Sequence, residues 1–127
     1  MKTLIVVRTQ FAALHAWPEC PFESVAFLRN THRHIFHVEL KCAVEHANRQ
    51  LEFFEVKKEL DKLLSIYYAN RDLGSRSCET MAEHIAIDME YNLNYHASHP
   101  SRPRPVVVFC SVFEDNENGA EFYPGES

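Results

Sequence analysis

The sequence predicts an α+β protein, an antiparallel β-sheet with two helices packed on one of its faces. Three observations carry this expectation. The residues from His32 to Val44 alternate with a period of two, two later stretches repeat apolar residues at spacings of three and four, and strand-like runs open and close the chain. Both helices therefore fall between strands rather than alternating with them.

Taken in order, Thr3 to Trp17 alternates loosely between apolar and polar residues, is β-branched early and breaks at Pro18, which predicts a strand running into a loop. The loop, PECPFESVAFLRNT, has two prolines and no clear period. From His32 the even positions are His32, His34, Phe36, Val38, Leu40, Cys42 and Val44, and the odd ones include Arg33, His37, Glu39, Lys41 and Glu45, the pattern of a long half-buried strand. HANRQ reads as a hairpin-like turn and LEFF as a brief returning strand. Between Phe54 and Tyr68 the stripe Val56, Leu60, Leu63, Leu64 and Tyr67 predicts an amphipathic helix, with Lys57, Lys58, Asp61 and Lys62 facing water. NRDLGSRS is a breaker-rich connection. Ser77 is then placed to cap a second helix carrying Met81, Ile85, Met89 and Leu93 and running to about Tyr95. HASHPSRPRP, with three prolines, is a loop. VVVFCSVFED is the last long strand, followed by the turn NENG and a short run to Tyr123.

The 127 residues are expected to form one domain, large enough to bury roughly two thirds of the surface its unfolded chain exposes. Apolar residues at 46% and charged residues at 24% fit a folded protein rather than a disordered one. The net charge of -5, with Lys and Arg scattered among acids, argues against a nucleic-acid or anionic-membrane partner. The apolar run Leu4 to Val7 is too short for a secretory signal, and no segment approaches the ~20 apolar residues of a membrane span, so a soluble cytoplasmic protein is expected. Cys20, Cys42, Cys78 and Cys110 form no CxxC pair and read as reduced thiols. A sheet covered on one face leaves its other face and edges to be managed, which points to a homo-oligomer.

His32, His34 and His37 crowd into THRHIFHVEL. Residues i and i+2 of a strand share a face, so His32 and His34 stand side by side while His37 points the other way. Two imidazoles and a third ligand make a common zinc site with one open position, and His15, at the end of the first strand, is the candidate an antiparallel neighbour could bring level. A His-x-His pair in a strand equally fits a partly exposed surface pair, and His46, His84, His96 and His99 read as surface residues.

Five blocks in order resemble the 6-pyruvoyl-tetrahydropterin synthase and 6-carboxytetrahydropterin synthase family. These are Phe11 to His15 for its Phe-x-x-x-His, HRHIFHVEL for its His-Gly-His strand with Arg33 in place of glycine, and LEFFEVKK for the start of its first helix. SCETMAEHIA matches its Thr-x-Glu-Asn helix start, and VFEDNENGAEFY its Val-x-Glu-Thr strand with a downstream Tyr. The resemblance implies the tunnelling fold, with subunits assembling a β-barrel as a homohexamer, a dimer of trimers. It implies Zn2+ on His15, His32 and His34, and a pterin or purine-like ligand held by Glu114 with Ser77 and Glu79. The family's proton-shuttling cysteine lies a few residues before His-Gly-His, where AFLRNT has no thiol; Cys20 is the only thiol of that loop. The family's Asp-His pair between the helices is represented by Asp72 without a histidine. Cys20, Asp72 and His37 are therefore the candidate acid-base groups.

The function implied is a zinc-dependent lyase acting on dihydroneopterin triphosphate or a relative, in tetrahydropterin or queuosine-type synthesis. The alternative is a catalytically impaired homologue that binds or sequesters a pterin, purine or nucleotide.

Overall fold

The computed structural model describes residues 3–44, 52–97 and 105–125. Four strands, β1 (Thr3–His15), β2 (His32–Val44), β3 (Val106–Glu114) and β4 (Asn118–Phe122), form one antiparallel sheet in the order β1-β2-β3-β4. Two helices, α1 (Phe53–Tyr67) and α2 (Cys78–Asn92), pack on one face. The architecture is the expected α+β one. The predicted turn at HANRQ and most of the proline-rich loop lie outside the described residues.

Parity builds the core. Val7, Phe11 and Ala13 of β1 and Phe36, Val38, Leu40 and Cys42 of β2 are buried toward the helices, as alternation requires. The register sets Phe11 against Phe36, their rings stacked 5.2 Å apart, and Val38 against Val112. In β3 the register slips between Lys41 and Cys42 of the partner strand, so Val107 and Cys110, three residues apart, both turn inward.

Helix α1 buries Val56, Leu60, Leu63 and Leu64, and its N-cap is Glu52, whose carboxylate accepts from the Glu55 amide. Two expectations are corrected here. Within LEFF the described residues form no strand: Glu52 caps α1, and Phe53 and Phe54 open it and are exposed, at 53% and 72%. Nor does Tyr67 join the buried stripe. The helix ends there, and Tyr68, with a non-helical backbone, swings its ring inward beside Phe11 at 5.6 Å. In α2 the stripe is Met81, Ile85 and Met89, continued by Leu93, all fully buried. Ser77 caps it by accepting from the Thr80 amide at 3.1 Å, as expected. The α-helix stops at Asn92 and gives way to a π-helical turn, Leu93–Ala97. The loop before β2 also has structure the aperiodic sequence did not announce, a 3-10 helix over Glu23–Arg29.

The connection between the helices covers the edge of β1. Asn70 donates to the Ala12 carbonyl, the Leu14 amide to Arg71, the Leu73 amide to Leu14 and the Ala16 amide to Gly74, a short parallel ladder along the end of the edge strand. It anchors the segment Ser75 to Cys78 beside His15. No helix among the described residues is long and apolar enough to cross a membrane.

Candidate metal and ligand site

At the open end of the helix-covered face the apolar core gives way to polar residues. The β1–β2 register pairs His15 directly with His32 and Ala13 with His34, so His34 lies diagonal to His15 on the same face. Phe36, fully buried, forms the floor, its ring edge-on to His15 and His34 at 5.2 and 5.8 Å. Ring nitrogens of the three histidines lie within 4.8 Å of one another.

Each imidazole is oriented by its other nitrogen. His15 Nδ1–H donates to the Arg76 carbonyl at 3.0 Å, His32 Nδ1–H to the Asn30 carbonyl at 2.8 Å, and His34 Nδ1–H to the Asp115 carboxylate at 2.6 Å. Because carbonyl and carboxylate oxygens accept only, a neutral ring at each of these positions carries its proton on Nδ1 and directs an Nε2 lone pair inward. All three Nε2 atoms are buried without a hydrogen-bond partner. Three convergent, orphaned lone pairs, each backed by an acceptor on the far nitrogen, are what a metal ion needs and what a solvated surface pair would not keep. The residues fit a bound metal.

Asp115 is built into this support. It sits in the turn between β3 and β4 with φ of 51°, followed by Asn116 at 59°, a left-handed pair that Asp and Asn tolerate. Its amide donates to the Ile35 carbonyl, and its Oδ1 accepts from the Ile35 amide while Oδ2 takes His34. The Ile35 amide and then His34 hold its carboxyl below the usual Asp range. Gly119 closes the hairpin: a Cβ there would run into the Val112 carbonyl oxygen and the Phe113 Cα.

Glu114 ends β3 on the same face. Its Oε2 lies 3.1 Å from His34 Nε2 and its Oε1 3.5 Å from His15 Nε2, neither contact aligned as a hydrogen bond. The Cys78 thiol, first residue of α2, donates to Oε1 at 3.7 Å. Burial, then the Glu114 carboxylate, pushes this thiol up to about 12.

Beside the histidines opens a cavity of about 400 Å³, lined among others by His15, His32, Trp17, Arg76, Ser77, Cys78, Glu79 and Glu114. The structure thus gathers His15, His32 and His34 at one point, and Ser77, Glu79 and Glu114 around the adjoining cavity. It does not bring the acid-base candidates there. Cys20 is buried under its own loop, its thiol toward the Phe22 and Val25 carbonyls. Asp72 lies on the outer side of the helix connection, where Oδ1 accepts from the Gly74 amide. His37 faces the opposite side of the sheet, as its parity predicts. Sequence reasoning missed Trp17, Arg76, Cys78 and Asp115. Cys78 was within reach, because it extends the stripe of Met81 and Ile85 by one turn. Asp115 needed the hairpin register.

No protein-family profile matches the chain, and no curated protein matches it. Solved structures do. The 6-pyruvoyl tetrahydropterin synthase of Caenorhabditis elegans superposes with a TM-score of 0.66 at 19% identity, over 98% of this chain and 97% of that one. This chain has the fold of 6-pyruvoyl tetrahydropterin synthase. An uncharacterized protein of Wolinella succinogenes shares that fold at 11% identity and a TM-score of 0.65, over 98% and 99% of the two chains.

Proposed function

We propose that the protein is a zinc-dependent enzyme of the 6-pyruvoyl/6-carboxytetrahydropterin synthase type, acting on dihydroneopterin triphosphate or a related pterin. The observation that carries this reading is the set of three orphaned Nε2 atoms beside a cavity whose rim bears Glu114. His15, His32 and His34 hold the ion. Zinc, when bound, polarises hydroxyls of the ligand side chain and lowers their pKa. Glu114 accepts paired hydrogen bonds from an aminopyrimidinone edge, with Ser77 and Glu79 beside it. Trp17 gives the cavity an aromatic wall. The reading includes assembly into a hexamer of two trimers, as the family resemblance implies, and a lone subunit in solution counts against it.

The positions of Cys20 and Asp72, off the cavity, favour a second reading, in which the site binds or sequesters a pterin, purine or nucleotide without turning it over. Acid-base help from a positioned group is worth ~100 to 10,000-fold, so a site without it is a poor proton-transfer catalyst. Cys78, which keeps its proton at neutral pH, can donate a hydrogen bond but is no base.

Metal analysis and turnover test both. Stoichiometric zinc is expected in the purified protein and its loss in a His32→Ala, His34→Ala variant; zinc that persists in that variant would sink the site assignment. Turnover of dihydroneopterin triphosphate that disappears in Glu114→Ala supports the enzyme. Tight binding of the pterin without turnover supports the second reading.

A further inference from the structure

Glu114 stands closer to the histidines than a group reserved for an organic ligand has reason to. Its two oxygens face two imidazole nitrogens, at 3.1 Å for His34 and 3.5 Å for His15. With every Nδ1 proton committed to Arg76, Asn30 or Asp115, these nitrogens present lone pairs. A carboxylate against two lone pairs is repulsive unless a cation lies between them. No hydrogen bond joins either Glu114 oxygen to an Nε2 atom, so hydrogen bonding does not account for the close approach. Donor atoms ~2.0–2.1 Å from a shared ion in a tetrahedral array stand roughly 3.3 Å apart, and the two observed separations bracket that value. The carboxylate is also held in place, since the Cys78 thiol donates to Oε1 from the buried start of α2.

We propose that Glu114 is a protein ligand of the metal, completing a three-histidine, one-carboxylate set and closing the centre while the cavity is empty. Cys78 is the positioning residue that orients it. The assignment goes beyond the pterin reading and depends on it in one respect only: a ring that takes the Glu114 carboxylate must draw it off the ion, so ligand binding opens the metal's fourth position. The carboxylate then serves as a gate, keeping the centre four-coordinate until a ligand with a matching donor edge arrives.

Co2+ alone is the probe, because its visible absorption reports the coordination number and donor set. Wild type, Glu114→Gln, Glu114→Asp and Glu117→Gln are loaded and titrated against a competing chelator, with circular dichroism confirming the fold of each. The wild-type spectrum is expected to be that of a four-coordinate ion. Glu114→Gln should bind Co2+ more weakly by at least about 10-fold, the lower end of what even an outer partner costs. Glu114→Asp keeps the charge but shortens the reach, and its spectrum should change as well. Glu117→Gln removes a charge three residues away and should leave both readouts unchanged. Wild-type affinity and spectrum retained in Glu114→Gln overturn the proposal, as does a wild type that takes up no Co2+. Adding 7,8-dihydroneopterin to the loaded wild type should shift its spectrum toward that of Glu114→Gln. No shift, with the Glu114 dependence intact, supports the ligand assignment and counts against the pterin reading alone.

Discussion

Asp115 shows how much of the site depends on residues that touch no ligand. Its two oxygens serve two masters, the Ile35 amide and His34 Nδ1, and the left-handed turn beneath it is what turns the carboxylate back onto β2. A carboxylate behind a ligating imidazole fixes the ring's orientation and raises its basicity. Asp115→Asn is isosteric and keeps an acceptor but loses the charge. Metal affinity, read by chelator competition, is expected to fall by about 10–100-fold with the fold intact. The depressed carboxyl also sets a sign. The contribution of Asp115 to stability is present above the usual Asp range and is lost as pH falls through its lowered value. An unchanged metal affinity in Asp115→Asn would make the contact merely structural.

Among the elements, α2 states the packing argument most cleanly, because two isoleucines two residues apart have opposite fates. Ile85 is fully buried in the core, whereas Ile87 is 56% exposed. Ile85→Ala should therefore cost ~2–5 kcal/mol in urea unfolding and Ile87→Ala no more than ~0.5 kcal/mol. This contrast could be read from the chain, since Met81, Ile85, Met89 and Leu93 recur at helical spacing and Ile87 does not. The same holds for the long strand, where parity alone separates His32 and His34 from His37. Legibility failed where a local cue was absent or overruled. LEFF, with two phenylalanines, has strand composition, but Glu52 caps the backbone into a helix and leaves both rings in solvent. Tyr67 fits the helical stripe, yet the helix ends under it and Tyr68 takes the core position. The 3-10 helix at Glu23–Arg29 has no buried residue and hence no periodicity to betray it. At the site, the three histidines were legible from spacing and motif. The contacts of Cys78, Asp115 and Arg76 were not, since they arise from register and from a connection pinned to the edge of β1.

At the scale of the whole molecule, the core contains thiols that bind stability to pH. Cys42 of β2 and Cys110 of β3 lie buried in the core under the helices. Burial raises both thiols to about 12, with Glu90 adding to the effect at Cys42 and Cys42 itself adding to that at Cys110. In the unfolded chain a cysteine titrates near 8.5. The folded value therefore lies above the unfolded one, and the contribution is fully present below about pH 8.5 and lost as pH rises toward about 12. In that window the unfolded state has released a proton that the native state keeps, so stability falls by about 1.4 kcal/mol per pH unit for each such thiol. Urea unfolding at pH 8 and pH 10 should show the midpoint dropping steeply in wild type. In Cys42→Ala the drop should be shallower, although the variant starts lower because its cavity weakens the core. The same burial predicts that neither thiol reacts with iodoacetamide in the native protein at pH 8 and that both do in denaturant. A wild type whose unfolding midpoint is flat between pH 8 and pH 10 would mean that these thiols ionise in place, and that water reaches the centre of the sheet-helix interface.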